Sequence, residues 1–208
     1  MLSPLHAELL EEGFQVRLAV VNLKGGTGKT TSAVALATSL NARGRTLLID
    51  ADPQGSALAW SEEAGFSFPT VGLPVRDLHI RLVQLGTDYE HIVIDTPPAV
   101  PPIVRSSVLA ADTVLIPLSP SGVELRQIGP TFELLADLEP HSPLLRVLLT
   151  QVHPRTVASR VARDLLAEVK VPLLNSEVPH RQGYRTAFGS VMAPDHYESV
   201  LAELLDAA

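Results

Sequence analysis

The fold is decided by one short stretch of the 208-residue chain, Lys24-Gly25-Gly26-Thr27-Gly28-Lys29-Thr30-Thr31. The apolar, β-branched run before it, residues 17–23, predicts a buried strand. After it, residues 30–42 carry apolar side chains at helical spacing, and Gly44 is placed to end that helix. A second apolar run, residues 45–49, predicts another strand. Strand, glycine loop, helix and strand in this order form a βαβ unit, and such units build parallel sheets.

A loop of this composition can wrap around phosphate groups. Its glycines let the backbone approach closely with several N–H groups pointing inward, and the start of the following helix adds positive potential. Lys29 is placed to neutralise the β- and γ-phosphates, the Thr30 hydroxyl to ligate Mg²⁺ and Thr31 to donate to the α-phosphate. The alternative, a flexible glycine turn, would not need this strand and helix around it. The stretch therefore predicts a nucleoside triphosphate site.

The remaining chain repeats the alternation of strand and helix. Further strands are predicted at residues 89–94, 113–117, 144–150 and 171–174, and helices near residues 76–86, 103–111, 122–138, 156–169, 180–188 and 195–206. This order predicts an α/β fold of the P-loop NTPase type, a mostly parallel β-sheet with helices on both faces. We expect a single domain over residues 17–208, preceded by an N-terminal extension, residues 1–16. Ligands of such sheets bind at the carboxyl ends of the strands.

Acidic residues follow two of the predicted strands. Asp50 and Asp52 end the second strand, and although an Asp-x-Asp turn occurs by chance, its distance from the phosphate loop indicates a functional pair. The apolar residues 92–94 deliver Asp95 to the sheet edge, where it can hold Mg²⁺ through a water. The alternative is that Asp95 only caps the following segment. The stiff loop Thr96-Pro97-Pro98 could sense the γ-phosphate.

Together these motifs resemble the ParA/MinD superfamily of P-loop ATPases with a deviant Walker A loop, from about residue 17 to residue 203. In that family the early lysine, here Lys24, reaches across a nucleotide-sandwich dimer to the phosphates held by the other subunit, much as an arginine finger would. The resemblance implies that Asp52 positions or activates the attacking water and that Asp50 supports the Mg²⁺ shell and its loop. It also implies ATP and Mg²⁺ as ligands, bound by Lys24, Gly25, Gly26, Thr27, Gly28, Lys29, Thr30 and Thr31. The alternative is that Lys24 is an ordinary surface lysine with no role in nucleotide binding.

Composition sets wider limits. Hydrophobic residues make up 46% of the chain and charged residues 19%, which predicts a folded protein. The absence of cysteine excludes disulfides and thiolate-held metal clusters, and with them the iron-protein branch of the superfamily. No apolar run approaches the roughly 20 residues of a membrane span, so we expect a cytoplasmic protein.

The charge is uneven around a formal net value of −7. Residues 151–190 hold six basic and three acidic residues, a local excess that could bind a polyanion. The candidates for DNA contacts are Arg155, Arg160, Arg163, Arg181 and Arg185. Each of them could instead be merely solvated or paired with a carboxylate.

The chain most resembles the small ParA partition ATPases. The resemblance implies a homodimer on ATP binding, non-specific DNA binding in that state, association with the nucleoid, and weak ATP hydrolysis stimulated by a ParB-type centromere-binding protein. Three alternatives compete with plasmid or chromosome partition. One is a ParA-like ATPase that positions a chemosensory cluster or a microcompartment, and another is a metabolic P-loop enzyme. The third, a membrane-binding MinD-type protein, conflicts with the tail after Val191, which has four acidic and no basic residues; we therefore expect no membrane partner.

Overall fold

A computed structural model describes residues 15–85, 88–138, 140–141, 143–153, 156–185, 187–191 and 195–206. Most of the expected N-terminal extension therefore lies outside the described residues. The strands are β1 (Val16–Val20), β2 (Thr46–Asp50), β3 (Thr70–Gly72), β4 (His91–Asp95), β5 (Thr113–Leu118), β6 (Leu144–Val152) and β7 (Leu173–Pro179). The helices are α1 (Lys29–Asn41), α2 (Ser56–Ala64), α3 (Leu78–Leu85), α4 (Pro101–Leu109), α5 (Gly122–Gln127), α6 (Gly129–Ala136), α7 (Val157–Glu168), α8 (Gln182–Arg185) and α9 (Asp195–Leu205).

The described strands form one parallel sheet in the order β3-β2-β4-β1-β5-β6-β7. The expected α/β architecture is confirmed. The register places Asp95 at the end of β4 beside Val20 of β1 on one side and Asp50 of β2 on the other. Three strand ends that carry or precede the predicted site residues therefore meet at the centre of the sheet's carboxyl edge.

Two hydrophobic cores cover the two faces of the sheet. Consecutive residues at the end of β1 show the division: Leu18 and Val20 lie in the core that contains α1, α2 and α9, whereas Ala19 and Val21, the residue after the strand, lie in the core that contains α3, α4 and α6. A strand buried on both faces must be apolar at every position, which is why these strands read as continuous apolar runs. Each fully buried Leu, Ile or Val contributes about 1.5–3 kcal/mol to this packing.

Most element ends lie within three residues of the predicted ones, and larger differences occur in three places. The single helix expected at residues 122–138 is two helices, because Pro130 has no N–H to continue the hydrogen-bond ladder past Ile128. Of the helix expected at residues 180–188, only α8 forms, after a β7 that extends to Pro179. Helix α2 and the three-residue strand β3 were not predicted at all. A strand this short at the sheet edge leaves almost no periodic signal in the sequence.

Candidate functional site

A cavity of about 760 Å³ opens at the carboxyl edge of the sheet. Seven of the predicted site residues line it: Gly25, Gly26, Gly28, Lys29, Thr30, Thr31 and Asp52. Its opposite wall comes from the ends of β6 and β7 and the segment that follows, with Gln151, Pro179, His180, Arg181 and Tyr184. The edge that the sequence predicted for ligand binding therefore holds a cavity large enough for a small molecule.

The phosphate loop takes a conformation that requires two of its glycines. Gly26 and Gly28 have φ angles of 78° and 90°, in the left-handed region that side-chain-bearing residues rarely adopt. Helix α1 starts directly after Gly28 and has no side-chain cap. The N–H groups of its first turn are therefore available to an anionic ligand, which is the arrangement expected of a phosphate site.

Lys29 is a buried cation. Only 6% of the residue is exposed, and its Nζ donates a hydrogen bond to the carbonyl oxygen of Lys24 at 2.8 Å. Burial lowers its pKa, and the carboxylates of Asp95 and Asp52 oppose that shift. An ammonium held out of water in this way gains from a phosphate that supplies the missing negative charge.

Asp95 is buried and lacks partners. It has no exposed surface, and neither carboxylate oxygen accepts a hydrogen bond from any described residue. Burial raises its pKa to about 7, although the nearby Thr30 hydroxyl lowers it. Orphaned carboxylate oxygens close to a hydroxyl fit a hard cation such as Mg²⁺. Since the described residues contain no cluster of three His, Cys, Asp or Glu side chains, such an ion would take most of its ligands from phosphate and water.

Asp50 and Asp52 have different surroundings. Asp50 is fully buried, and its two carboxylate oxygens accept hydrogen bonds from the backbone N–H groups of Asp52 (3.0 Å) and Leu58 (2.9 Å). These contacts fix the turn after β2 and the start of α2, which favours the loop-supporting part of its predicted role. Asp52 is half-buried at the cavity wall, and Oδ1 of its carboxylate accepts a hydrogen bond from Gln54 N–H at 2.9 Å. Its other oxygen remains available to a water in the cavity.

Lys24 does not line the cavity of its own chain. Its Nζ lies 3.5 Å from Oε1 of Glu124, at the start of α5. Its backbone N–H donates to Oδ1 of Asn22, whose Nδ2 donates to the carbonyl of Pro117 in β5. Sequence reasoning missed both Asn22 and Glu124, although the polar Asn22 at the end of an apolar strand is a signal that could have been used.

Two further residues missed in the sequence hold the phosphate loop from the β6 side. The Thr150 hydroxyl donates to the carbonyl of Thr27 at 2.9 Å, and the Gln151 amide donates to the carbonyl of Gly26 at 2.6 Å. Gln151 has a φ of 53°, an uncommon conformation for a residue other than glycine. A strained residue that contacts a ligand loop is typical of functional sites.

Three of the predicted DNA-contact arginines have described side chains, and their surroundings differ. Arg163 is paired with Glu177, and it donates to the carbonyls of Leu174 and Asn175. Arg160 is exposed on α7, and Arg181 is exposed at the cavity wall. Arg155 and the side chain of Arg185 lie outside the described residues. The role of these arginines toward DNA stays a prediction, and for Arg163 the observed partners favour a structural one.

The helices of the described ranges are short compared with a membrane span. None of them is long and apolar enough to cross a bilayer. The absence of a membrane partner stays a prediction, based on the acidic residues after Val191.

Comparison with known proteins gives a consistent result. The CobQ/CobB/MinD/ParA nucleotide-binding domain matches residues 18–192. Maintenance of carboxysome distribution protein A of Halothiobacillus neapolitanus is 33% identical over 177 residues, 82% of each chain. The chromosome-partitioning ATPase Soj of Thermus thermophilus is 30% identical over 216 residues, 85% of this chain and 87% of that one. A plasmid partition protein of Borrelia burgdorferi bound to AMPPNP superposes with a TM-score of 0.78 at 20% identity, covering 94% of this chain and all of that chain.

Proposed function

The chain belongs to the CobQ/CobB/MinD/ParA nucleotide-binding family and is a ParA-like P-loop ATPase, and on that premise we propose that it distributes an intracellular cargo through cycles of ATP-dependent dimerisation. The observation that carries the proposal is the pair of lysines on one loop. Lys29 faces the cavity of its own chain, whereas Lys24 is directed away from it toward Glu124. Because Lys24 does not line the cavity of its own chain, it is available to contact the nucleotide of a partner subunit.

The residues of the site have different roles in binding and hydrolysing ATP. The loop N–H groups and Lys29 bind the phosphates, and Asp95 and Thr30 would hold a Mg²⁺ ion, which would neutralise part of the charge of ATP. Asp52 orients the attacking water, and Asp50 keeps the Asp52 loop in place. Lys24 of the partner stabilises the negative charge that develops on the transferring phosphoryl group.

We propose a protein assembly as the cargo, because the relative at 33% identity is named for carboxysome distribution. Partition of plasmid or chromosomal DNA is the second candidate, favoured by the likeness to Soj. Deletion of the gene distinguishes them: clumping of a protein compartment with normal DNA inheritance supports the first, and loss of a replicon supports the second. Non-specific DNA, a ParB-type partner and ATP-dependent association with the nucleoid belong to the second proposal.

The dimerisation cycle is tested with purified protein. Mass by light scattering is measured with ATP, ADP or no nucleotide, and the wild-type protein is expected to dimerise only with ATP. Asp52→Ala should accumulate the ATP dimer without turnover, and Lys24→Gln should bind ATP and stay monomeric. Lys170→Gln, which removes an exposed lysine at the end of α7, is the matched control. A normal ATP dimer of Lys24→Gln would refute the role in the partner's site.

A further inference from the structure

We propose that Glu124 is a positioning residue that retains Lys24 within its own subunit until an ATP-bound partner takes it. The proposal rests on the dimerisation cycle put forward above. In addition to that cycle, it assigns a role to Glu124. The carboxylate of Glu124 and the phosphates bound by the partner subunit compete for the ammonium group of Lys24, which pairs with Glu124 in the monomer and with phosphate in the dimer. The threshold for dimerisation is then set partly by a carboxylate outside the phosphate loop.

The contact is partly shielded from water. The Lys24 and Glu124 side chains are 33% and 14% exposed, and their charged atoms are 3.5 Å apart. At this separation and burial, attraction is screened less than between two fully exposed groups. Glu124 is the only carboxylate among the described residues that forms an ion pair with Lys24.

Hydrogen bonds near the end of β5 restrain both Glu124 and the backbone of Lys24. Ser119 N–H donates to Oε2 of Glu124, which leaves Oε1 for Lys24. Glu124 N–H donates to the hydroxyl of Ser121, the residue that caps α5. Because Asn22 ties the backbone of Lys24 to Pro117 of the same strand, the pair costs little ordering entropy to form.

Nucleotide binding is coupled to this pair through Lys29. Its Nζ donates to the carbonyl of Lys24, so the phosphate-binding lysine also restrains the backbone of the other lysine. Phosphates compete for the same ammonium group. When Lys29 turns toward them, Lys24 loses one of its restraints and leaves Glu124 more readily.

The experiment measures the monomer–dimer equilibrium in ATP by analytical ultracentrifugation. Glu124→Gln keeps the shape and the acceptor for Ser119 but removes the charge. A partly exposed ion pair contributes up to about 1 kcal/mol, or up to about fivefold. Two pairs break for each dimer, so Glu124→Gln should dimerise more tightly than wild type, by up to about 25-fold. Glu133→Gln, which neutralises an exposed glutamate on α6, should leave the equilibrium unchanged.

Three further measurements make the result specific. Because ATP binding and the ion pair are coupled through Lys29, the ATP affinity of the Glu124→Gln monomer should rise by no more than the roughly fivefold that the pair contributes, and the gain in dimerisation should vanish when Lys24→Gln is present as well. Glu124→Asp, whose side chain is one methylene shorter, should also dimerise more tightly and carries the test if the Gln variant does not fold. Unchanged or weaker dimerisation of a folded Glu124 variant overturns the inference. Failure of wild type to dimerise in ATP would instead refute the proposed cycle itself.

Discussion

The phosphate loop and the segment after β6 both carry basic residues, but the surroundings of these residues differ between the two regions. At the phosphate loop, Lys29 is buried near Asp95, a carboxylate with no hydrogen-bond partner among the described residues. In the segment after β6, Arg163 is fully engaged with Glu177 and two carbonyls, and Arg160 is exposed to solvent. Charge count alone would rank the second region above the first. Incomplete pairing of buried charge is the better marker of a ligand site, because leaving such groups unsatisfied is costly unless a ligand completes them.

The largest effect is expected for Lys29→Ala, which removes the buried cation of the phosphate loop. Removal of the ammonium should lower ATP affinity at least 1,000-fold, about 4 kcal/mol, because several charge-assisted contacts to phosphate disappear together. Calorimetric titration of ATP measures this, and the single tryptophan, Trp60, which lines the cavity, gives an independent fluorescence signal. Lys170→Ala serves as the control. Micromolar affinity retained by Lys29→Ala would contradict the assignment of the loop.

The free energy of unfolding should depend on pH through Asp95. Its folded-state pKa of about 7 lies above the ordinary value of 3.8, so the protonated form stabilises the ligand-free protein fully below pH 4, and this contribution is lost as pH rises through 7. Asp95→Asn removes the ionisation. The variant should therefore be more stable than wild type at pH 8, by up to roughly 4 kcal/mol, with the difference fading at low pH.

Urea unfolding of the ligand-free proteins at pH 4, 6 and 8, in the presence of a chelator, measures this difference. The same stability gap between variant and wild type at all three values would show that Asp95 does not titrate in this range. Glu133→Gln provides a neutralised carboxylate at the surface for comparison.

Arg163→Ala tests the other side of the comparison. Loss of a half-exposed ion pair and two hydrogen bonds to carbonyls should destabilise the protein by about 1–2 kcal/mol. We expect DNA binding of the folded variant to match wild type, measured by fluorescence anisotropy in ATP. A weaker salt dependence of DNA binding in Arg163→Ala would show that this guanidinium leaves Glu177 to contact phosphate.

The smallest effect is expected for Arg160→Ala, one turn earlier on α7. The exposed side chain should contribute nothing measurable to the unfolding free energy. If this surface binds DNA, the variant should bind all sequences slightly less tightly and lower the salt slope by about 1. An unchanged slope would place the DNA-binding surface elsewhere on the molecule.

Much of the fold and the centre of the site could be predicted from local signals. The conformation of residues 24–31 depends on residues within the motif, since glycines at positions 26 and 28 permit the positive φ angles that the loop needs. Asp95 was predictable because an uninterrupted apolar strand must end at the sheet edge. Helix α2 and strand β3 were not, since short elements with exposed residues carry too weak a periodicity.

Local sequence is therefore sufficient to predict a parallel α/β fold and a phosphate loop with its acidic neighbours, because backbone conformation and strand burial depend on nearby residues. Which charged side chains are paired follows instead from three-dimensional packing. The pairs Lys24–Glu124 and Arg163–Glu177 and the contact of Gln151 with the loop join residues 100, 14 and 125 positions apart. Such contacts arise from the packing of strand ends and helices against one another, and no spacing along the chain encodes them.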